Sequence, residues 1–529
     1  MNISSYLGRA AALVPSQTAV IDLDAPGGRR TFTYGELWDR VRCTARGLVD
    51  LGLERGDRVA LLSANSWEYL ESFLAIATAG LVAVPLNTRL LAQETRHMLV
   101  DSGARLLIAQ QQQLADKPQL MELPELGAVL IRPEGELPPG SIGFEALAAA
   151  TPMAAVNLRV ETLMSLMYTS GTTGLPKGVM LSHGAWSVVA DQVQRYLSYE
   201  GLERTVHAAP LTHGSGFLVL PTIAVGGVNV LCARFQPSIV LDLFVREGVT
   251  NGFFVPSMIR MMLDEAGAHA GPFGSLRTLY YAGSPIDASM LKMAVDRFGP
   301  VLVQSFAQME SPMFLSVLDR EDHQRVAAGD GKLRGTAGRP VIGARLRIVG
   351  DDNKEVPFGE VGEIVASAGQ TMLGYWNRAE ATAETLRGGW LYTGDLGRID
   401  ADGYLYVVDR KKDMIISGGS NVYAREVEEV LLGHPQVSDS AVIGLPHAKW
   451  GEMVVAVLVS RDGCQADTGA LEAFCREKLP DYRRPKQFIW VDALPRNPYG
   501  KILKRELRER LSATITPKPP VTTKLACSN

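Results

Sequence analysis

The chain has 529 residues, 46% hydrophobic and 21% charged, a length that favours three or four compact units and a composition that supports ample core. Lys plus Arg number 53 against 57 Asp plus Glu, and the resulting net charge of −4 provides no global field for nucleic acid or an anionic membrane. The five cysteines (Cys43, Cys232, Cys464, Cys475, Cys527) form neither a disulfide framework nor a zinc spacing, so a reducing cytoplasm is the expected compartment.

The N-terminal stretch Met1 to Val14 lacks the apolar region of a signal peptide. Thr33 and Glu36 form a capping-box signature, after which Leu37, Val41, Ala45 and Leu48 recur at helical spacing. The apolar run Val59–Leu62 reads as a strand, Ser66 as the cap of a helix over Trp67–Ala79, and Leu81–Val84 as a second strand. Strand, helix, strand is a βαβ unit, which implies a largely parallel sheet covered by helices. The apolar stretch Phe73–Leu86 is too short for a membrane span and contains Gly80 and Pro85, so it reads as core. Further strand-like runs fall at Arg105–Ala109, Gly252–Val255, Leu279–Ala282 and Val301–Gln304. After Gly338, alternating stretches such as Ala344–Val349 and Gly362–Ala366 suggest antiparallel strands, and Asp402–Gly403 a hairpin turn. From Lys412 an α+β pattern appears: helix Ala424–Leu432, strands Ser440–Ile443 and Met453–Ser460, then helix Thr468–Leu479. The division expected is an N-terminal domain over 1–409, a hinge at 410–412, a C-terminal domain over 413–514 and a loose tail over 515–529.

The segment Tyr168-Thr-Ser-Gly-Thr-Thr-Gly-Leu-Pro-Lys-Gly178 lies between apolar runs and reads as a long loop joining two strands. Its glycines permit close approach of a ligand to the backbone, and its amides and hydroxyls suit phosphate oxygens. Lys177 adds a point charge. Because Lys177 precedes Gly178 and no Ser or Thr follows it directly, this is not a Walker A loop, and a flexible polar linker remains the alternative.

These eleven residues resemble the signature loop of the adenylate-forming superfamily, which includes acyl-CoA synthetases, peptide-synthetase adenylation domains and luciferases. Four more motifs follow in the family's order, so the resemblance covers nearly the whole chain. It implies an α/β fold: a large N-terminal domain of parallel-rich αβα sheets with a small β-barrel-like subdomain, then a small mobile α+β domain. On the signature loop it assigns Thr169, Ser170, Gly171, Thr172, Thr173, Gly174 and Lys177 to ATP. Gln304-Ser-Phe-Ala-Gln-Met-Glu310 is similar to the family's Tyr-Gly-x-Thr-Glu, placing Phe306 against adenine and Glu310 on Mg²⁺, with Ala307 and Met309 as departures. The adenine-side loop is matched by Gly283 and Ser284, the ribose-binding aspartate by Asp395 of Trp390-Leu-Tyr-Thr-Gly-Asp395. Val408 to Gly419 resembles the interdomain hinge, with Arg410 near ribose and phosphate and Lys412 as the pivot. In Asn497-Pro-Tyr-Gly-Lys501, Lys501 matches the lysine that reaches the carboxylate and α-phosphate during adenylation.

The resemblance implies a two-step reaction in which a carboxylate attacks the α-phosphorus of ATP and a thiol then displaces AMP. The implied catalytic groups are Lys501, Lys177, His213 and Glu310. Coenzyme A is the expected thiol, because His447-Ala-Lys-Trp-Gly-Glu452 resembles a CoA-ligase segment; Gly418, Gly419, Trp450, Tyr482 and Arg484 are its candidate contacts. Pro210 to Gly216 matches the start of the acid pocket, with His213 as gate, and Trp186, Phe253, Phe254 and Met313 as apolar lining. The segment has Gly214 where amino-acid-activating domains carry an acid-bearing motif, so a fatty, cyclic or aryl acid is expected. Expected partners are that acid, ATP and CoA, with no nucleic acid and no integral membrane segment; a homodimer is left open. Two other classes stay open: an acyl-AMP ligase loading a carrier protein, and a degenerate nucleotide-binding protein without turnover. No Gly-x-Ser-x-Gly elbow occurs, which disfavours a serine hydrolase.

Overall fold

The computed structural model describes residues 2–123, 126–133, 136–169, 175–265, 273–461, 463, 465–496 and 502–515. The chain divides into two compact units. The first comprises Met1–Glu360, Ile364–Thr393 and Arg398–Tyr406; the second comprises Val361–Glu363, Gly394–Gly397 and Val407–Asn529.

The helix expected after Thr33 runs from Tyr34 to Asp50. The Thr33 hydroxyl accepts from the Glu36 amide while the Glu36 carboxylate accepts from the Thr33 amide, so two otherwise orphaned donors are satisfied at once. Ser66 caps the helix Trp67–Ala79 by accepting from the Tyr69 amide at 3.2 Å. Every residue of that helix is buried, including two carboxylates. Glu68 pairs with Arg132 at 2.8 Å and Glu71 with Arg40 at 2.6 Å, as buried charge requires.

Among the described residues two large sheets carry the first unit. In the eight-stranded sheet, Arg58–Leu62 lies between Val82–Pro85 and Leu106–Gln110, parallel to both. This is the βαβ arrangement implied by the alternation of apolar runs. Its strands are buried along nearly their whole length, which explains why they read as continuous apolar stretches. The same sheet continues through Leu163–Thr169 and Lys177–Ser182 to the two-residue strand Gly374–Tyr375. The nine-stranded sheet has Arg204–His207, Asn251–Phe254, Thr278–Tyr281 and Leu302–Gln308 as consecutive parallel neighbours. A five-stranded sheet contains Ala344–Val349, Gly362–Ala368, Leu386–Arg387, Trp390–Ile399 and Leu405–Arg410.

In the second unit, Val437–His447 and Gly451–Ser460 form a long antiparallel pair, with Gln487–Val491 parallel to the latter. Ala424–Leu432 and Thr468–Lys478 cover this sheet through Val427, Leu431, Leu471 and Cys475. The last described helix, Lys504–Ile515, is held by Lys504 to Glu428 at 2.6 Å and Arg508 to Asp413 at 3.0 Å. Among the described residues no helix is long and apolar enough to cross a membrane.

Two buried histidines of the first unit, His207 on the strand Arg204–His207 and His323 on the helix Arg320–Ala327, sit as neutral rings. His207 bonds Ser215 and Asn229, both at 2.9 Å; His323 bonds Tyr281 at 2.9 Å and the Asp319 carbonyl at 2.6 Å. Burial pulls each ring down to about 4. The folded pKa lies below the unfolded one, so the unfolded chain takes up protons first as pH falls, and stability is lost from about pH 6.5 toward about pH 4. Each histidine contributes up to about 1.4 kcal/mol per pH unit in that window. Denaturant unfolding from pH 7 to 4.5 should therefore show a shallower pH dependence in His207→Gln by about that amount, and an unaltered slope would contradict the neutral burial of His207.

Candidate active site

The glycine-rich segment is framed as its flanking apolar runs imply. Leu163–Thr169 and Lys177–Ser182 are antiparallel, with Thr169 opposite Lys177 and Tyr168 opposite Gly178. Ser170, Gly171, Thr172, Thr173 and Gly174 lie outside the described residues. Lys177, the first residue of the returning strand, is half-buried.

Glu310 occupies, with Met309, the two-residue turn between Leu302–Gln308 and Ser311–Leu318, where Gln308 pairs with Ser311. The carboxylate is buried, and its Oε1 accepts a 2.6 Å hydrogen bond from the Tyr375 hydroxyl. Tyr375 itself is fixed because Gly374 and Tyr375 pair with Met180 and Val179. Its ring presents a face to Lys177, whose Nζ lies 5.0 Å from the centroid. Burial, together with the Glu310 charge, pushes the Tyr375 hydroxyl well above the usual phenol range, so it remains a donor. Motif reading alone did not select Tyr375. Its only trace was a glycine–aromatic pair in a short apolar run, and the contact that matters joins positions nearly two hundred residues apart. Among the described residues no cation pairs with Glu310, and no cluster of three metal-binding side chains occurs. A buried carboxylate with one oxygen held by a phenol and, among the described residues, no cation paired with it fits Mg²⁺, which takes one or two protein carboxylates plus phosphate oxygens and water.

Phe306 is half-buried on the same hairpin and packs against the main core, while Gly283 and Ser284 are exposed just beyond the end of the Thr278–Tyr281 strand.

His213 precedes the short helical turn Gly214–Leu218. Its Nδ1 is 3.2 Å from the Thr212 hydroxyl, and burial holds the imidazole down to about 4, so the ring is neutral near pH 7. Gly214 packs directly on Phe253: a Cβ there would lie 2.5 Å from the ring's Cζ, so only glycine fits against that face. Phe253 in turn rests on Tyr280 at 5.4 Å, and the Tyr280 hydroxyl donates to the Met313 carbonyl at 3.2 Å. Met313 is buried with φ of 70°, a strained backbone for a side chain of its kind. On the other side of this segment, Trp186 stacks on Phe217 at 4.3 Å and donates from its indole nitrogen to Ser165 at 3.0 Å. Trp186 also lines a small apolar cavity of about 10 Å³ with Tyr69, Leu70, Phe73, Leu211, Gly216 and Val219. Phe254 is not brought into this group. It is wholly buried in a second core against Phe244, because adjacent residues of a strand face opposite sides of the sheet.

In the second unit Asp395 is buried and pairs with Arg410 at 3.1 Å. Beside it, Lys411 reaches Glu363 at 2.9 Å, while Lys412 is exposed. Gly418 and Gly419 form the two-residue turn between Ile415–Ser417 and Ser420–Val422, both with positive φ as a tight hairpin turn demands. The Gly418 amide donates to the Trp450 carbonyl at 2.8 Å. Trp450 stacks with His447 at 4.3 Å, and the ammonium groups of Lys449 and Lys486 lie 5.5 and 5.9 Å from the Trp450 ring. Lys486 was not selected from sequence, since only the fold carries it to this surface. Tyr482 is exposed beneath the Arg483 guanidinium, whereas Arg484 turns back to the Leu479 carbonyl at 2.8 Å. Lys501 lies outside the described residues.

Residues 7–376 match the model of the AMP-binding enzyme family and residues 426–501 that of the AMP-binding enzyme C-terminal domain. The chain is 41% identical to a feruloyl-CoA synthase of Amycolatopsis over 96% of its own length and 99% of that protein. It is 36% identical to a fatty acid–[acyl-carrier-protein] ligase of Streptomyces coeruleorubidus, covering 91% and 92% of the two chains. Among solved structures, o-succinylbenzoate CoA synthetase from Bacillus subtilis, bound to its acyl-adenylate intermediate, superposes with a TM-score of 0.84 at 31% identity over 95% of this chain and 97% of that one. Both halves of the sequence and the architecture that they build place this chain in the AMP-binding enzyme family.

Proposed function

We propose that this chain is an ATP-dependent carboxylic acid–CoA ligase. The carrying observation is the grouping of Lys177, Tyr375 and Glu310 beside the glycine-rich segment, in a chain 41% identical over 96% of its length to a feruloyl-CoA synthase. In the first step a carboxylate oxygen attacks the α-phosphorus and pyrophosphate departs. In the second a thiol sulfur attacks the acyl carbonyl and AMP departs. The reacting groups of the first step are both anionic, so positive charge held in place beforehand is the dominant requirement. Lys177 and Lys501 are the residues that would supply such charge. Glu310 would hold Mg²⁺, which when bound neutralises phosphate charge.

Asp395 serves the ribose hydroxyls, with Arg410 restraining its carboxylate. Phe306, Gly283 and Ser284 border the adenine. The apolar surroundings of His213, with neutral imidazole, Phe253, Met313 and Trp186, favour an apolar fatty, cyclic or aryl acid. No charged side chain of this group would satisfy a second carboxylate or an α-ammonium group. Gly418, Gly419, Trp450 and Tyr482 serve the thiol substrate. A second reading, transfer to a carrier protein, is favoured by the 36% identity to an acyl-carrier-protein ligase.

Pyrophosphate release should depend strictly on an added carboxylic acid, and a thioester should form with CoA alone. Release without any acid would sink the ligase reading, and transfer only to a carrier protein would select the alternative. Lys501→Ala should slow adenylation by about 10²–10³ while leaving thioester formation from supplied acyl-adenylate largely intact; equal loss of both steps would refute its role. Gly214→Ala, by displacing the Phe253 ring, should lower kcat/KM for bulky acids by about tenfold with KM for ATP unchanged. Steady-state kinetics across an acid series checks this, and an equal change for every acid would contradict the pocket assignment.

A further inference from the structure

We propose that Tyr375 is a positioning residue that keeps Lys177 and Glu310 apart and separately aimed, the ring carrying the ammonium and the hydroxyl carrying the carboxylate. This rests on the proposed roles of Lys177 with ATP phosphate and Glu310 with Mg²⁺, and adds the device that makes both groups available.

Lys177 and Glu310 carry opposite charges and approach the same tyrosine, the first at 5.0 Å from its ring centroid and the second at 2.6 Å from its hydroxyl. Two such groups would ordinarily close into a direct ion pair, which would consume the charge that each must offer to a ligand. Among the described residues neither takes part in an ion pair. Each engages a different part of the tyrosine: the π-cloud attracts the ammonium, and the hydroxyl donates to the carboxylate. The backbone that carries the ring is pinned, because Gly374 and Tyr375 pair with Met180 and Val179, the Trp376 amide donates to the Gly178 carbonyl at 2.8 Å, and the Tyr375 amide donates to the Thr382 hydroxyl at 2.9 Å. Glu310 is restrained at its backbone as well, since its carbonyl accepts from the Met372 amide at 2.8 Å. The carboxylate on its short turn is thus held at Oε1, and Oε2 is left to a cation. Groups that orient a metal-binding carboxylate in this way typically alter metal affinity 10–100-fold when removed.

Nucleotide binding separates the two halves of this role without turnover. An ATP analogue with a methylene between the α- and β-phosphorus atoms is titrated by calorimetry in magnesium and in chelator. Tyr375→Phe keeps the ring and loses the hydroxyl: the magnesium concentration for half-maximal binding should rise about tenfold, with affinity in chelator unchanged. Tyr375→Leu removes the ring as well, and should in addition lose about fivefold in chelator as Lys177 and Glu310 collapse together. Adding Tyr375→Phe to Glu310→Gln should cost nothing further, because the hydroxyl acts through that carboxylate. Unchanged magnesium dependence in Tyr375→Phe, or equal losses by both variants in both conditions, would overturn the inference while leaving the ligase reading intact. Magnesium-independent binding by the unaltered protein would instead overturn the role of Glu310 and this inference with it.

Discussion

A two-residue strand pairing organises the chemistry of the first unit. Gly374 and Tyr375 lie antiparallel to Val179 and Met180, and that short ladder brings the end of the glycine-rich segment beside the turn bearing Glu310. The segments involved lie far apart in sequence, so their meeting has to be secured by the sheets on which they sit. Lys177–Ser182 is an inner strand of the eight-stranded sheet, and Leu302–Gln308 an inner strand of the nine-stranded one. Because both sheets are buried, a one-residue slip would exchange the side chains packed on their two faces. The burial of the sheets therefore fixes the register of the charged groups at their ends.

That rigidity matters because the reaction joins two anions. A carboxylate approaches a triphosphate only where positive charge is already in place and cannot relax onto protein carboxylates. In the first unit one tyrosine, Tyr375, engages both groups separately, its ring facing Lys177 and its hydroxyl donating to Glu310. The second unit solves a related problem differently, by accepting ion pairs: Asp395 with Arg410, Glu428 with Lys504 and Asp413 with Arg508. The last two fasten the helix Lys504–Ile515 to the rest of the second unit.

Much of this was legible in the amino-acid sequence where the physics is local. The capping box at Thr33 and Glu36 and the Ser66 cap announce their helices because each is closed within four residues. Parallel strands were visible as uninterrupted apolar runs, and the two strands framing the glycine-rich segment were visible for the same reason. What escaped was non-local. The place of Glu310 at a hairpin turn depends on a strand pairing between Gln308 and Ser311. Tyr375 gains its meaning only through partners at Val179, Lys177 and Glu310. The separation of Phe253 from Phe254 follows from strand periodicity, yet the side of the sheet that faces His213 is set by tertiary packing. Lys486 reaches Trp450 only because Gln487–Val491 joins the sheet parallel to Gly451–Ser460.

The central claim is that a carboxylate oxygen becomes bonded to the α-phosphorus of ATP within this protein. The most direct measurement is isotopic. With an acid whose carboxylate is labelled with ¹⁸O, mass spectrometry of the AMP produced should find one label transferred per turnover. AMP that remains unlabelled while thioester accumulates would mean that the acid is activated by some other route, and the account given for Lys177, Glu310 and Lys501 would fail.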